Sequence, residues 1–305
     1  SLVSMSLAWI SASQANPWFV YGCLFVSGVA RAFQQPARAS FLPQIVPAEH
    51  FSNAVSWNTG AFHLATVLGP SIGGVLIDLT DGAAVNYVLY AGSALGYVFM
   101  LSQIRTRPAV TPPSGTSFKD FAAGLTYLWK NQVIFGAISL DLLAVLFGGA
   151  TALLPAYAKH LGVGPTQLGL MQAAAPFGAF VVSILLAHRP PFERAGRALL
   201  LGVTGFGVAI ILFGLSTYFW LSLALLVLTG AFDNVSVVIR HTLVQVLTPN
   251  ELRGRVSAVN GLFIGASNEL GRFESGTVAH LFGPAIGPMV SVVSGGVGTL
   301  VVVIF

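Results

Sequence analysis

The chain has 305 residues, 55% apolar and 8% charged, with 14 Lys and Arg against 10 Asp and Glu and a mean hydropathy of +0.80. This is far from the composition of a water-soluble domain and places the chain in the polytopic membrane class. The net charge of +4 is carried by connections between apolar runs and gives no reason to expect nucleic acid, and the single cysteine, Cys23, excludes a disulfide framework or a cysteine-based metal site.

Crossing a bilayer takes about 20 apolar residues. Runs of that order occupy 17–36, 54–77, 84–104, 133–157, 165–187, 198–215, 218–238, 256–281 and 284–305, with a shorter one at 1–13. The chain opens on Ser1 inside an apolar run, without an initiating Met or a basic region before it, so the first run reads as the tail of a helix rather than a signal peptide. The expectation is an N-terminally truncated all-α polytopic membrane protein with about nine full transmembrane helices and a partial first one. The run at 54–77 contains "TVLGPSIGGVL", with Gly69, Pro70, Gly73 and Gly74 where a helix in water would end. A membrane helix tolerates them, because neighbours re-satisfy the backbone and small side chains admit a second helix.

Residues 105–120, "RTRPAVTPPSGTSFKD", have the Pro, Ser and Thr content of a linker, and "FAAGLTYLWKN" reads as a short interfacial helix with Trp129 and Lys130 at headgroup level. The expected division is therefore a first half at 1–104, a linker with its interfacial helix at 105–131, and a six-span second half at 132–305. Arg31 and Arg38, then Arg105, Arg107, Lys119 and Lys130, then Arg189, Arg194 and Arg197, then Arg240, Arg253 and Arg255 fall at or near every second connection. By the positive-inside rule these connections, the linker and both chain ends are cytoplasmic, in a multi-pass plasma (inner) membrane protein.

Sliding the chain on itself by 202 residues matches Trp18 to Trp220, Leu24 to Leu226, Gly28 to Gly230, Arg38 to Arg240, Pro47 to Pro249, Glu49 to Glu251, Asn58 to Asn260, Gly69 to Gly271 and Gly74 to Gly276. Both copies run in the same direction across the membrane. The repeat is parallel, about an axis along the membrane normal, as between the halves of major facilitator transporters.

The segments "RAFQQPARASFLPQIVP", "GPSIGG", "LDLLAVLFGGATALLP", "VVIRHTLVQVLTPNELRGRVSAVN" and "IGASNELGRFESG" resemble the major facilitator superfamily, specifically its transmembrane secretion effector branch of enterobactin-exporter-like and drug efflux proteins. The resemblance implies that the chain holds helices 3–12 of a twelve-helix fold. It also implies that Gly69, Pro70, Gly73 and Gly74 are the antiporter signature of the fifth helix, with Ser56 and Ala65 standing where the fuller pattern has glycines. "ERAGR", Glu193 to Arg197, resembles the family's Asp-Arg-x-Gly-Arg-Arg loop, implying gating roles for Glu193, Arg194, Gly196 and Arg197. For all eight residues the alternative is ordinary helix packing or the positive-inside rule.

Ionisable residues inside spans cost a few kcal/mol unless they face a cavity or a partner. Asp141 and Asp233 lead as proton or substrate groups, on what the resemblance makes the seventh and tenth helices. Arg31, the repeat-mate of Asp233, is expected across the cavity from it. Alternatively, Asp233 pairs permanently with Arg240 and Arg31 snorkels to the surface. Glu269 and Arg272, three residues apart, form a candidate structural pair. Glu274 and His63 complete the pathway candidates, His63 because an imidazole is the side chain suited to proton exchange near neutrality.

Six scattered histidines offer no metal-ligand spacing, and neither a Ser-His-Asp arrangement nor a phosphate loop is apparent, so an enzyme is not expected. The reading is a cofactor-free, monomeric secondary transporter that exports a hydrophobic or amphipathic small molecule of the siderophore or drug class by proton antiport and alternating access. Its partners are that small molecule, protons and the lipid bilayer. The competing readings are a structural or regulatory membrane fragment and a facilitator importing a small solute.

Overall fold

The computed structural model describes residues 2–304 except 14–15, 17, 48–49, 105–117, 191 and 193, and leaves undescribed the side chains of residues 2, 12, 35–44, 51–52, 55–56, 118–121, 150 and 250–251. The protein is 90% helical and has no strand among the described residues. Among the described residues, seven helical spans are long and apolar enough to cross a membrane. The chain divides into two compact units, Ser1–Pro113 and Ser114–Phe305.

In the first unit, α1 (Leu2–Ser13) lies against α2 (Trp18–Ile45) and α4 (Ala84–Gln103), and α3 (Phe51–Thr80) meets α4. Pro70 sits inside α3. At Gly73 the close neighbour is a side chain: Asn86 Nδ2 of α4 donates to the Gly73 carbonyl at 2.9 Å. Gly74 is buried. A Cβ at Gly69 would meet nothing within 4 Å. The helix ends where Asp81 takes a left-handed conformation, φ 50°.

The second unit is better packed. It begins with α5 (Phe118–Lys130), continues through α6 (Gln132–Phe147) and α7 (Leu154–His160), and ends in α8 (Pro165–Ala187), α9 (Ala195–Leu215), α10 (Phe219–Leu247), α11 (Asn250–Leu281) and α12 (Gly283–Ile304). Helix α5 is held by its apolar face: Leu128, 1% exposed, joins Ile134, Val244, Val256 and Val259 in one core cluster. Its Tyr127 hydroxyl donates to the Leu247 carbonyl at 2.7 Å. Helices α8 and α10 cross at two glycines. A Cβ at Gly178 would overlap the Val227 carbonyl, and one at Gly230 the Ala175 carbonyl. Two such carbonyl-to-glycine contacts let the backbones approach as small-residue membrane interfaces do.

The element boundaries repeat to within three residues of the same offset as the residues. Moved along by 202 positions, α2, α3 and α4 would start at 220, 253 and 286, where α10, α11 and α12 start at 219, 250 and 283. The end of α1 would fall on 215, the last residue of α9.

Candidate functional site

The apolar run at 133–157 is not one helix. The span Gln132–His160 breaks after Phe147 into Gly148–Gly149, a single 3-10 turn at Ala150–Leu153, and α7. Neighbouring helices crowd the break. A Cβ on Gly148 would strike the Phe206 ring of α9, one on Gly149 the Gly271 carbonyl and the Ser275 hydroxyl of α11, and one on Gly295 of α12 would overlap the Phe147 carbonyl. Broken backbone at membrane depth requires such cover, because lipid offers no partner for a freed carbonyl.

Beside the break lies a cavity of about 200 Å³, lined from five helices. The α10 contribution, Leu226, Thr229, Gly230, Asp233, Val237 and Arg240, is one stripe at helical spacing. Helix α6 adds Asp141 and Val145, the break adds Gly148 and Gly149, and α11 adds Ile264, Asn268 and Arg272. The site is thus apolar in most of its lining, with charged groups converging from three helices.

Those charges are unequally satisfied. Arg240 Nη1 lies 2.6 Å from Asp141 Oδ2, and both residues are buried, at 3% and 4% exposure. The Ser236 hydroxyl donates to Asp141 Oδ1 at 3.0 Å. Arg240 Nε has no hydrogen-bond partner. Asp233 forms neither an ion pair nor a hydrogen bond among the described residues, although it lines the same cavity. The pairing of Asp233 with Arg240 considered from sequence is therefore corrected to Asp141 with Arg240. Residues seven apart on a helix are separated by about 10 Å of rise, whereas α6 brings Asp141 directly against the guanidinium.

The remaining candidates are dispersed. Glu269 accepts from Arg272 at 3.1 Å on an exposed stretch of α11, with Arg272 also at the cavity. Glu274 accepts from the adjacent Ser275 hydroxyl at 3.4 Å and does not line the cavity. Arg31 is exposed on α2 of the first unit, and His63 on α3 sits edge-on to Phe62 with its carbonyl bonded by Thr66. Arg194, Gly196 and Arg197 are exposed at the start of α9, and Glu193 lies outside the described residues.

Ser236, Thr229 and Asn268 were not singled out in the sequence. The signal for the first two is the polar stripe on α10, spaced three and four residues apart with Asp233 and Arg240. No group of three potential metal ligands occurs among the described residues.

A family profile for the Major Facilitator Superfamily matches residues 1–272. The enterobactin exporter EntS of Escherichia coli O1:K1 / APEC is 29% identical over 263 residues, 85% of this chain and 61% of that protein. The enterobactin exporter EntS of Escherichia coli O45:K1 (strain S88 / ExPEC) aligns with the same identity and coverage. The chain thus spans about three fifths of the length of the curated relatives it matches.

Proposed function

This chain belongs to the Major Facilitator Superfamily, and on that premise we propose that it is a secondary exporter of a hydrophobic or amphipathic small molecule, driven by proton antiport. The observation that carries the reading is Asp233: a carboxylate without a protein partner among the described residues, at a largely apolar cavity inside a membrane-spanning bundle. An ionised carboxylate there is costly unless it takes up a proton or faces a cationic or polar ligand. Proton and substrate competing for one carboxyl is the minimum needed for antiport, because each then disfavours the state the other stabilises.

Asp141 has a different part in this scheme. Its charge is already neutralised by Arg240 and bonded by Ser236, so it ties α6 to α10 and fixes the wall on which Asp233 stands. Loading Asp233 from outside with a proton removes the charge before the site moves past apolar surface. Deprotonation on the inside makes the site ready for substrate. The break at Gly148–Gly149 supports a change of access, since α7 is joined to α6 by a short turn rather than by continuous helix.

The siderophore or drug class is supported by the likeness to enterobactin exporters and by the apolar lining. Arg272 and Asn268 provide donors at the cavity for oxygen-rich groups. The basic connections, including Arg194 and Arg197, support an orientation with the linker and both ends on the cytoplasmic side of the inner membrane. The test is transport by the full-length protein in proteoliposomes, with an imposed pH gradient and a panel of catecholate siderophores and lipophilic cations. Accumulation of one class against its own gradient, collapsing when a protonophore is added, supports the reading. Transport that ignores the pH gradient for every substrate carried refutes proton antiport.

A further inference from the structure

A second concavity of the second unit, sharing no residue with the acid-lined cavity, has the form of a lipid site. It is an apolar groove of about 710 Å³ running along α6 from Val133 past Gly136 and Leu140 to Leu143, with Leu200 of α9 and Val301 of α12 opposite. A Cβ at Gly136 would meet nothing within 4 Å, so the groove floor is open there. At its Val133 end it meets a shallow polar pocket of about 410 Å³ formed by Tyr127, Lys130, Asn131 and Gln132. Val133 lines both.

We propose that this composite binds one anionic phospholipid, its headgroup on the Lys130 pocket and an acyl chain along the groove. Length supports that occupant. From Val133 to Leu143 a helix rises about 15 Å, half of a hydrocarbon core about 30 Å thick, so the groove is one leaflet deep. Charge supports it as well. Lys130 stands in the polar pocket, Arg197 lies three residues before Leu200 on the same stripe of α9, both are exposed, and no Asp or Glu lines either concavity. Asn131 and Gln132 add amide donors for phosphate or glycerol oxygens. The exposed Trp129 beside Lys130 marks the depth of the membrane interface. Since α5, α6 and α9 all contribute, the lipid bridges α5 and the start of α9.

The experiment is native mass spectrometry of the full-length protein extracted from nanodiscs of equal phosphatidylglycerol and phosphatidylcholine. One phosphatidylglycerol is expected to stay bound in preference to phosphatidylcholine. In the Lys130→Gln, Arg197→Gln double variant that preference should fall about 25-fold, from about fivefold for each basic residue near a lipid phosphate. Gly136→Leu should release both lipids alike by filling the groove. Should Gly136→Leu fail to fold, the double variant decides alone, because both of its positions are exposed. Equal retention of the two lipids by the unaltered protein, or an unchanged preference in the double variant, overturns the proposal.

Discussion

Removing Arg240 is the sharpest perturbation of the site's frame. The guanidinium neutralises Asp141 at 2.6 Å with both residues almost fully buried, and only the Ser236 hydroxyl would remain for the carboxylate. Breaking one side of a buried pair costs about 3–5 kcal/mol, because an uncompensated charge is left behind. For a unit of this size that corresponds to a melting temperature lower by on the order of 10 °C. Arg240→Met should show this loss by fluorescence-detected size-exclusion after heating, and Asp141→Leu should show a comparable one. The Asp141→Leu, Arg240→Met double variant should recover most of it, since the apolar pair carries no buried charge. Losses that simply add, or an Arg240→Met variant within about 1 kcal/mol of the unaltered protein, would refute the assignment of the pair as the tie between α6 and α10.

Gly230→Leu should abolish monodisperse protein, because its side chain would enter the Ala175 carbonyl at the α8–α10 crossing, while Gly136→Ala, which has open space, should keep normal yield. Tyr127→Phe loses the bond to the Leu247 carbonyl and should weaken the seat of α5 by about 0.5–1.5 kcal/mol, read as faster amide exchange over 125–128; unchanged exchange would show that the apolar face alone holds the helix. In a Cys23→Ser background, a cysteine beside Arg194 should resist an impermeant thiol reagent in intact cells and one beside Lys159 should react, the reverse pattern inverting the orientation. Gly73→Leu should leave membrane insertion intact yet impair coupled transport, and full transport would mean that "GPSIGG" is an ordinary packing face in this protein.

The helices and their repetition were legible because both rest on local pattern. Apolar runs mark α8, α9 and α12, and the offset that aligns Trp18 with Trp220 brings the helix starts within three residues of each other. The break in the run at 133–157 is not legible in the sequence, although Gly148–Gly149 stands in plain view. The run is apolar throughout, and whether a Gly-Gly pair bends or continues a membrane helix depends on what surrounds it, here Phe206, Gly271 and Gly295. The ion pair was beyond sequence reasoning for a related reason. Asp141 and Arg240 are 99 positions apart, and the nearer acid, Asp233, shares the helix and offered a plausible local partner. What tertiary structure adds is the choice between two acids: one is satisfied, the other is left facing a cavity.

That choice is tested most directly by comparing Asp233→Asn with Asp141→Asn in the same proteoliposomes, measuring both accumulation against a gradient driven by pH and exchange of labelled for unlabelled substrate. Asn keeps the size and polarity of Asp but cannot exchange a proton. The account predicts that Asp233→Asn loses pH-driven accumulation and retains exchange, while Asp141→Asn lowers stability and loses accumulation and exchange together. Full pH-driven accumulation by Asp233→Asn would contradict it.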